Sequence, residues 1–182
     1  MGNPGRKYRR TRHNAGFIVV DSLCALAGIS LRRPWFRAFR AGEAVLPGGR
    51  LCAAAPLTFM NRSGDVAGEI FSRFSVGLPN LLVILDTMDL PAGTLRLKLR
   101  GSSAGHRGLK SLIGVLGTED FMRLYVGVGR PGPGTEVIAH VLGEFAQEEA
   151  VLIEEAAGRA ARGILRLLVE SPEAVMNELN TL

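Results

Sequence analysis

The chain has 182 residues, of which 47% are apolar and 21% charged, and it carries a net charge of +5. This composition excludes an intrinsically disordered chain and a collagen-like repeat, and it is typical of one globular domain, residues 1–182. The apolar runs are far shorter than the roughly 20 residues that a membrane span requires, and the two cysteines lie in apolar runs. We therefore expect a cytoplasmic protein without a membrane partner. Nothing in the sequence suggests an obligate oligomer, so we expect a monomer.

Positive charge is concentrated in the first part of the chain. Residues 1–40 carry +8, residues 41–134 carry +3 and residues 135–182 carry −6. Arginine supplies 19 of the 22 basic side chains, and its planar guanidinium suits phosphate. A nucleic acid partner is therefore one interpretation, and an ordinary solvated surface rich in arginine is the other.

The first half of the chain predicts two helices and a hairpin. Apolar residues at helical spacing indicate a helix over residues 16–27. Two runs, 36–45 and 50–55, flank Pro47-Gly48-Gly49 and predict a β-hairpin. Ser63 is expected to cap the next helix, which carries apolar residues on one face.

Strands and helices alternate in the second half. Residues 81–85 form a continuous apolar run, and in residues 95–99 leucines alternate with Arg96 and Lys98, which gives that strand one basic face. A third strand is predicted over 123–128, and helices are predicted over 109–116, over 146–169 and from Ser171 onward. This order predicts an α/β single-domain sandwich whose twisted, mixed and mostly parallel sheet is covered by helices on both faces.

The chain opens directly on a turn, Gly2-Asn3-Pro4-Gly5. An α/β domain normally enters such a turn from a strand. We therefore expect that the domain as given lacks an N-terminal strand.

Few residues can perform acid or base chemistry. The histidines are His13, His106 and His140, without a His-x-x-x-His pair or a cysteine pair at metal-ligand spacing, so no metal site is expected. A covalent nucleophile is not expected from the cysteines, because neither lies in a polar, glycine-rich turn. Residues 127–132 match a dinucleotide loop formally, but Pro133-Gly134-Thr135 follows instead of a helix start, which argues against cofactor binding.

The remaining polar residues lie in loops between apolar segments. Asp86 ends the predicted buried strand, where α/β sheets place their sites. If Asp86 meets His13 in the fold, the imidazole has an orienting partner for taking a proton from water. Side-chain amides of Asn3 and Asn61 could then bind a carbonyl or its oxyanion. Spacing alone leaves open whether these groups converge.

Four blocks of sequence resemble the signatures of bacterial-type peptidyl-tRNA hydrolase. The first combines Gly2-Asn3-Pro4-Gly5 with Tyr8 and the run Thr11-Arg12-His13-Asn14-Ala15-Gly16-Phe17. The others are Pro56-Leu57-Thr58-Phe59-Met60-Asn61-Arg62-Ser63-Gly64, Asp86-Thr87-Met88-Asp89-Leu90-Pro91-Ala92-Gly93, and residues 101–110. The order and spacing continue to Val141-Leu142-Gly143, so the resemblance covers nearly the whole chain.

The resemblance implies hydrolysis of the ester that joins a peptide to the 3′ end of tRNA, without a metal or other cofactor. His13 would be the general base for water, Asp86 would orient it, and Asn3 would contact the blocked amino group and the peptide. The implied substrate-binding residues are Tyr8, Phe59, Asn61, Asn14 and Arg107, and the implied tRNA phosphate contacts are Lys98 and Arg96.

The chain departs from the family pattern in three places. Arg107 stands where the family usually has Asn, and arginine cannot accept a hydrogen bond. Tyr125 stands where a basic residue is common. The family also has a short apolar strand before the Gly2–Gly5 turn.

Other interpretations of these residues remain open. His13 could cap a helix, Asp86 could form a turn and Phe59 could belong to the core. His106 could have no role beyond shaping its loop. His140, among apolar neighbours, is expected to be structural. At the level of function, the alternatives are an RNA-binding protein without hydrolase activity, as in a branch of the family that serves RNA splicing, and a nucleotide-dependent enzyme.

Overall fold

The computed structural model describes residues 1–181, which form six α-helices and five β-strands. The helices are α1 (Ala15–Ala27), α2 (Ala67–Phe74), α3 (Arg107–Leu116), α4 (Val137–Leu142), α5 (Gln147–Arg166) and α6 (Pro172–Leu179). The strands are β1 (Phe39–Leu46), β2 (Gly49–Pro56), β3 (Leu82–Thr87), β4 (Leu95–Lys98) and β5 (Met122–Gly127). Short 3₁₀ turns lie at Arg6–Tyr8, Arg12–Asn14, Met60–Val66 and Leu78–Asn80.

The central sheet is mixed, and its strand order is β3-β5-β4. β3 pairs with β5 in parallel, whereas β4 pairs with β5 in antiparallel fashion. β1 and β2 form a separate antiparallel hairpin. The mixed sheet is confirmed, but a mostly parallel one is not, because within residues 1–181 β3–β5 is the one parallel pair of strands. The loop 88–94 explains this, because its seven residues are too few for the crossover of about a dozen or more residues that a parallel return requires.

Alternate residues of the central strands belong to different apolar clusters. Ile84, Leu124 and Val126 pack with residues of α1, α5 and α6, including the small side chains that bring α1 and α5 together. Val83, Leu85 and Tyr125 pack with Leu109 and Leu112 of α3. This follows from the strand geometry, because successive side chains point to opposite faces of a sheet.

Ser63 does not cap a helix, contrary to the sequence prediction. It lies inside the 3₁₀ turn Met60–Val66, and its hydroxyl donates to the Met60 carbonyl at 2.8 Å. α2 begins only at Ala67. Close packing against α3 accounts for the extra turn, because a Cβ at Gly64 would lie 2.4 Å from the Ser111 carbonyl oxygen.

A cavity of about 630 Å³ lies between the hairpin strand β2 and the central strand β3. Met1 is buried beside it, and its amino group donates to the Ile84 carbonyl. The expected strand ahead of the Gly2–Gly5 turn stays a prediction. Within residues 1–181, no helix combines the length and the apolar character that crossing a bilayer would need.

Candidate active site

The polar residues predicted from the loops meet at one cavity of about 520 Å³. It opens where β3 ends and where the early turns, the loop before α3 and α4 come together. Of the predicted site residues, the cavity is lined by Asn3, Tyr8, His13, Phe59, Asn61, Asp86 and Arg107. Asn14, Arg96 and Lys98 do not line it.

His13 and Asp86 form a direct hydrogen-bonded pair. The Nδ1 atom of His13 lies 2.8 and 3.0 Å from the two carboxylate oxygens of Asp86. The local backbone makes this possible, because the start of α1 lies against β3. A Cβ at Gly16 would come within 2.6 Å of Met1 backbone atoms and 2.4 Å of the Ile84 carbonyl oxygen, so only glycine permits this approach.

His106 is a second imidazole on the same carboxylate. Its Nε2 lies 3.1 Å from Asp86 Oδ1, and its Nδ1 accepts a hydrogen bond from the Leu109 amide at 3.2 Å. Because Nδ1 is an acceptor, the neutral tautomer carries its proton on Nε2 and donates to Asp86. His106 therefore caps α3 and binds Asp86. The sequence signal was a histidine in the loop directly before an amphipathic helix, for which loop shaping was one interpretation.

Asp86 is fully enclosed and ionised. Burial alone would raise the pKa of its carboxyl, but the hydrogen bonds and charges of His106 and His13 outweigh burial and hold the pKa well below its ordinary value. With both N–H groups directed at Asp86, the Nε2 lone pair of His13 is left for a ligand in the cavity. The arrangement can accept a proton from a bound water.

His13, Asp86 and His106 also form a group that could hold a metal ion, with ligand atoms within 4.8 Å of one another. Sequence spacing did not reveal this group, because its members are far apart along the chain. In the structure the carboxylate oxygens, both nitrogens of His106 and Nδ1 of His13 are hydrogen-bond partners. The donor set is therefore arranged as a hydrogen-bonded triad.

Asn3 is held by hydrogen bonds that fix its orientation. Its Oδ1 accepts from the Met60 amide at 2.8 Å, which leaves its NH2 group as a donor at the cavity. Asn14 is buried and brackets the Asn3 backbone, accepting from its N–H at 2.8 Å and donating to its carbonyl at 3.0 Å. Asn14 therefore supports Asn3 and does not itself face the cavity.

The predicted binding residues surround the opening. Phe59 is 57% exposed, Asn61 and Arg107 are exposed, and Tyr8 is half-buried. Arg96 and Lys98 are exposed on β4. They share a sheet face with the cavity-lining Tyr125, which pairs with Arg96 across the strands and lies 5.6 Å from the Lys98 ammonium.

One wall of the cavity was not predicted. The short helix α4 contributes four apolar residues, Val137, Ile138, Val141 and Leu142. Its His140 donates to the Gly129 carbonyl at 3.0 Å, which agrees with the expected structural role. The Gly127–Gly132 loop is not followed directly by a helix, because α4 starts at Val137, so the loop lacks the helix N-terminus that a dinucleotide fingerprint requires.

Comparison with known proteins agrees with this geometry. A family model described as peptidyl-tRNA hydrolase matches residues 1–182. The peptidyl-tRNA hydrolases of Geobacillus kaustophilus (strain HTA426) and Bacillus subtilis (strain 168) are each 41% identical over 180 residues, which cover 99% of this chain and 96% and 95% of those proteins. The crystal structure of peptidyl-tRNA hydrolase from Acinetobacter baumannii has a TM-score of 0.91 at 32% identity, with 98% of this chain and 91% of that chain covered. The chain belongs to the peptidyl-tRNA hydrolase family.

Proposed function

We propose that the protein hydrolyses the ester bond of peptidyl-tRNA, releases the peptide and free tRNA, and thereby recycles tRNA from stalled translation. The observation that carries the proposal is the His13 imidazole, which lines the cavity and whose Nδ1 is bound to the ionised Asp86. An ester is an activated acyl group, so a positioned base and preorganised amides suffice for its hydrolysis.

The reaction would begin with a water bound at His13 Nε2. Nε2 takes a proton from this water while the water oxygen attacks the ester carbonyl carbon, which gives a tetrahedral oxyanion and an imidazolium. Asp86 stabilises the positive ring through its hydrogen bond. Collapse of the oxyanion breaks the bond to the 3′ ribose oxygen, and the imidazolium returns its proton to that oxygen.

The amide side chains supply hydrogen bonds around the reacting ester. The NH2 group of Asn3 is suited to a peptide carbonyl or the oxyanion, since its Oδ1 is already engaged by Met60. Asn61, at the exposed rim, offers a second amide. Phe59 and Tyr8 give flat surfaces for the terminal adenosine and the peptide.

The tRNA would extend from the cavity across the exposed basic face of β4. Lys98 and Arg96 on that face would meet backbone phosphates, and Arg107, the first residue of α3, would donate to the substrate. A monomer as the active unit is part of this proposal.

Hydrolysis assays with the His13→Ala variant test this proposal. We expect wild-type protein to release peptide from N-blocked aminoacyl-tRNA in a buffer containing EDTA. The variant should lose about 10²-fold or more of kcat, because its water has no base. Its Kd for tRNA, measured by filter binding, should stay within a few-fold of the wild-type value.

Wild-type kcat in the His13→Ala variant would refute the mechanism. Tight tRNA binding by the wild-type protein without any turnover would instead favour an RNA-binding protein. Loss of wild-type activity in EDTA that added metal restores would overturn the metal-independent reaction.

A further inference from the structure

A pair of exposed aromatic residues stands in the loop before the hairpin. The side chains of Trp35 and Phe36 are 88% and 90% exposed, and their rings stack with centroids 5.5 Å apart and planes 15° from parallel. Large aromatic side chains are normally covered, because burying them contributes strongly to stability. This pair contributes almost no such burial to the fold.

The backbone at this loop is also strained. Residues 34–37 form a turn in which the Arg37 amide donates to the Pro34 carbonyl at 3.1 Å. Phe36 has a φ of +60° within this turn, a conformation that glycine adopts without strain and a bulky residue does not. A phenylalanine here costs conformational energy and gains little packing, a combination that often marks a functional position.

The surroundings of the pair are strongly basic. Four arginines lie at positions 32, 33, 37 and 40, and residues 22–42 contain no Asp or Glu. Arg37 is paired with Glu69 at 3.1 Å, and Arg40 lies 3.9 Å from Asp21. Within residues 1–181, Arg32 and Arg33 have no carboxylate partner. This charge favours a polyanion over an apolar protein surface as the occupant.

The pair is connected to the candidate active site by a short path. The Leu57 amide donates to the Ala38 carbonyl at 2.7 Å, and Leu57 lies two residues before the cavity-lining Phe59. The route from Trp35 to Phe59 runs along the chain to Ala38, across the hydrogen bond to Leu57, and along the chain again. Each Cα step is at most about 3.8 Å and the pairing adds about 5.5 Å. The Cα atoms of Trp35 and Phe59 therefore lie within about 25 Å of each other. An RNA whose 3′ end enters the cavity can reach this loop.

We propose that Trp35 and Phe36, with Arg32 and Arg33 beside them, form a second tRNA contact at which an unpaired nucleobase stacks on the aromatic pair. Single-stranded nucleotides bind proteins in this way, with bases on aromatic rings and phosphates on arginines. The proposal rests on the proposed function for its choice of RNA. It adds a determinant of tRNA affinity that takes no part in ester cleavage.

Intrinsic fluorescence gives a direct test, because Trp35 is the single tryptophan of the chain. We expect deacylated tRNA to quench it with the same Kd that filter binding gives, and a blunt RNA duplex not to quench it. Unchanged fluorescence at saturating tRNA, or equal quenching by the duplex, would overturn the proposal. A blue shift with anionic phosphatidylserine vesicles and no response to tRNA would assign the patch to a membrane and also overturn it.

Three variants separate stacking from folding. Trp35→Ala should weaken tRNA binding by about tenfold and raise KM with little change in kcat. Phe36→Gly should weaken binding similarly while its Tm is not below the wild-type value, because glycine relieves the left-handed strain. Val45→Ala is the control, because it removes another apolar side chain of high exposure, 84%. It should change neither the affinity for tRNA nor KM.

The arginines predict a change in salt dependence. The Arg32→Ala/Arg33→Ala double variant should reduce the slope of log Kd against log salt by about 0.7 for each phosphate contact that is lost. Unchanged tRNA affinity in Phe36→Gly, or an unchanged salt slope in the double variant, would refute the proposed second tRNA contact. Failure of the proposed function is distinguishable, because it would show as no hydrolysis of peptidyl-tRNA by the wild-type protein, whereas failure here leaves that hydrolysis intact.

Discussion

Asp86 is the residue on which the hydrogen bonds of the candidate site converge. Replacing it with asparagine removes the charge that stabilises a His13 imidazolium, and it sets an amide NH2 against one of two imidazole N–H groups. We expect Asp86→Asn to lower kcat by about 10²- to 10⁴-fold with a small change in KM. Single-turnover hydrolysis measures this, with a circular dichroism spectrum as the control for folding. A kcat within a few-fold of wild type would contradict the assigned role.

The same carboxylate predicts a pH dependence of stability. Its folded-state pKa is depressed below the unfolded value of about 4. It therefore contributes stability that is fully present above that value and is lost as the pH falls towards the folded-state pKa. In urea titrations below about pH 4, the free energy of unfolding should decrease more steeply for wild type than for Asp86→Asn. Equal slopes would mean that the carboxyl is not held ionised by its partners.

His106 has two roles that different substitutions can separate. Serine is a good N-cap and can replace the bond to the Leu109 amide, but it is too short to reach Asp86, whereas alanine replaces neither bond. We expect His106→Ser to retain most of the stability and to lose activity by about tenfold or more. His106→Ala should lose similar activity and in addition about 1 kcal/mol of stability. Thermal melts and kcat together distinguish the roles, and a fully active serine variant would reduce His106 to a helix cap.

At the level of elements, Arg12 joins the turn that carries His13 to the region between α4 and α5. Its guanidinium donates to the Glu144 carbonyl at 2.9 Å and to the Glu149 carboxylate, and its carbon lies 5.6 Å from the centre of the Phe145 ring. Thr11 also forms a β-bridge with Glu144. The position of the turn that carries His13 is thus set partly by a segment more than a hundred residues away, which no local pattern indicated.

Arg12→Lys tests this connection, because lysine cannot bond several acceptors in one plane. We expect the free energy of unfolding to decrease by about 1 to 3 kcal/mol and kcat to fall by about tenfold through displacement of His13. Arg166→Lys is the matched control, since Arg166 also bonds carboxylates but lies at the other end of α5. Similar losses of kcat in both variants would show that Arg12 acts only through general stability.

At the level of the whole molecule, the candidate site lies beside basic surface from two distant parts of the chain. Residues 1–40 carry a charge of +8, and Arg96 and Lys98 add a basic strand face that adjoins the cavity through Tyr125. The net charge of +5 conceals this arrangement, because the last 48 residues carry −6. The distribution favours a polyanionic substrate over a small neutral ester.

Lys98→Ala and Arg96→Ala test the predicted phosphate contacts. Each substitution should raise Kd for tRNA and reduce the slope of log Kd against log salt by about 0.7 to 0.9, because one phosphate contact is lost. kcat at saturating substrate should change little, since neither side chain lines the cavity. Unaltered salt slopes in both variants would exclude this strand face from the tRNA interface.

The sequence by itself predicted most of the helices and strands and most of the residues that meet at the candidate site. Apolar periodicity predicted α1 and the central strands to within a few residues, and the motif blocks named His13, Asp86 and Asn3, because these signals are local. Tertiary structure decided what depends on distant contacts: the antiparallel β4, the 3₁₀ turn around Ser63, the apolar wall of α4, and the second imidazole on Asp86. His106 shows the reason most directly. Its neighbours along the chain indicated a loop, whereas its role follows from a carboxylate that the fold brings to 3.1 Å.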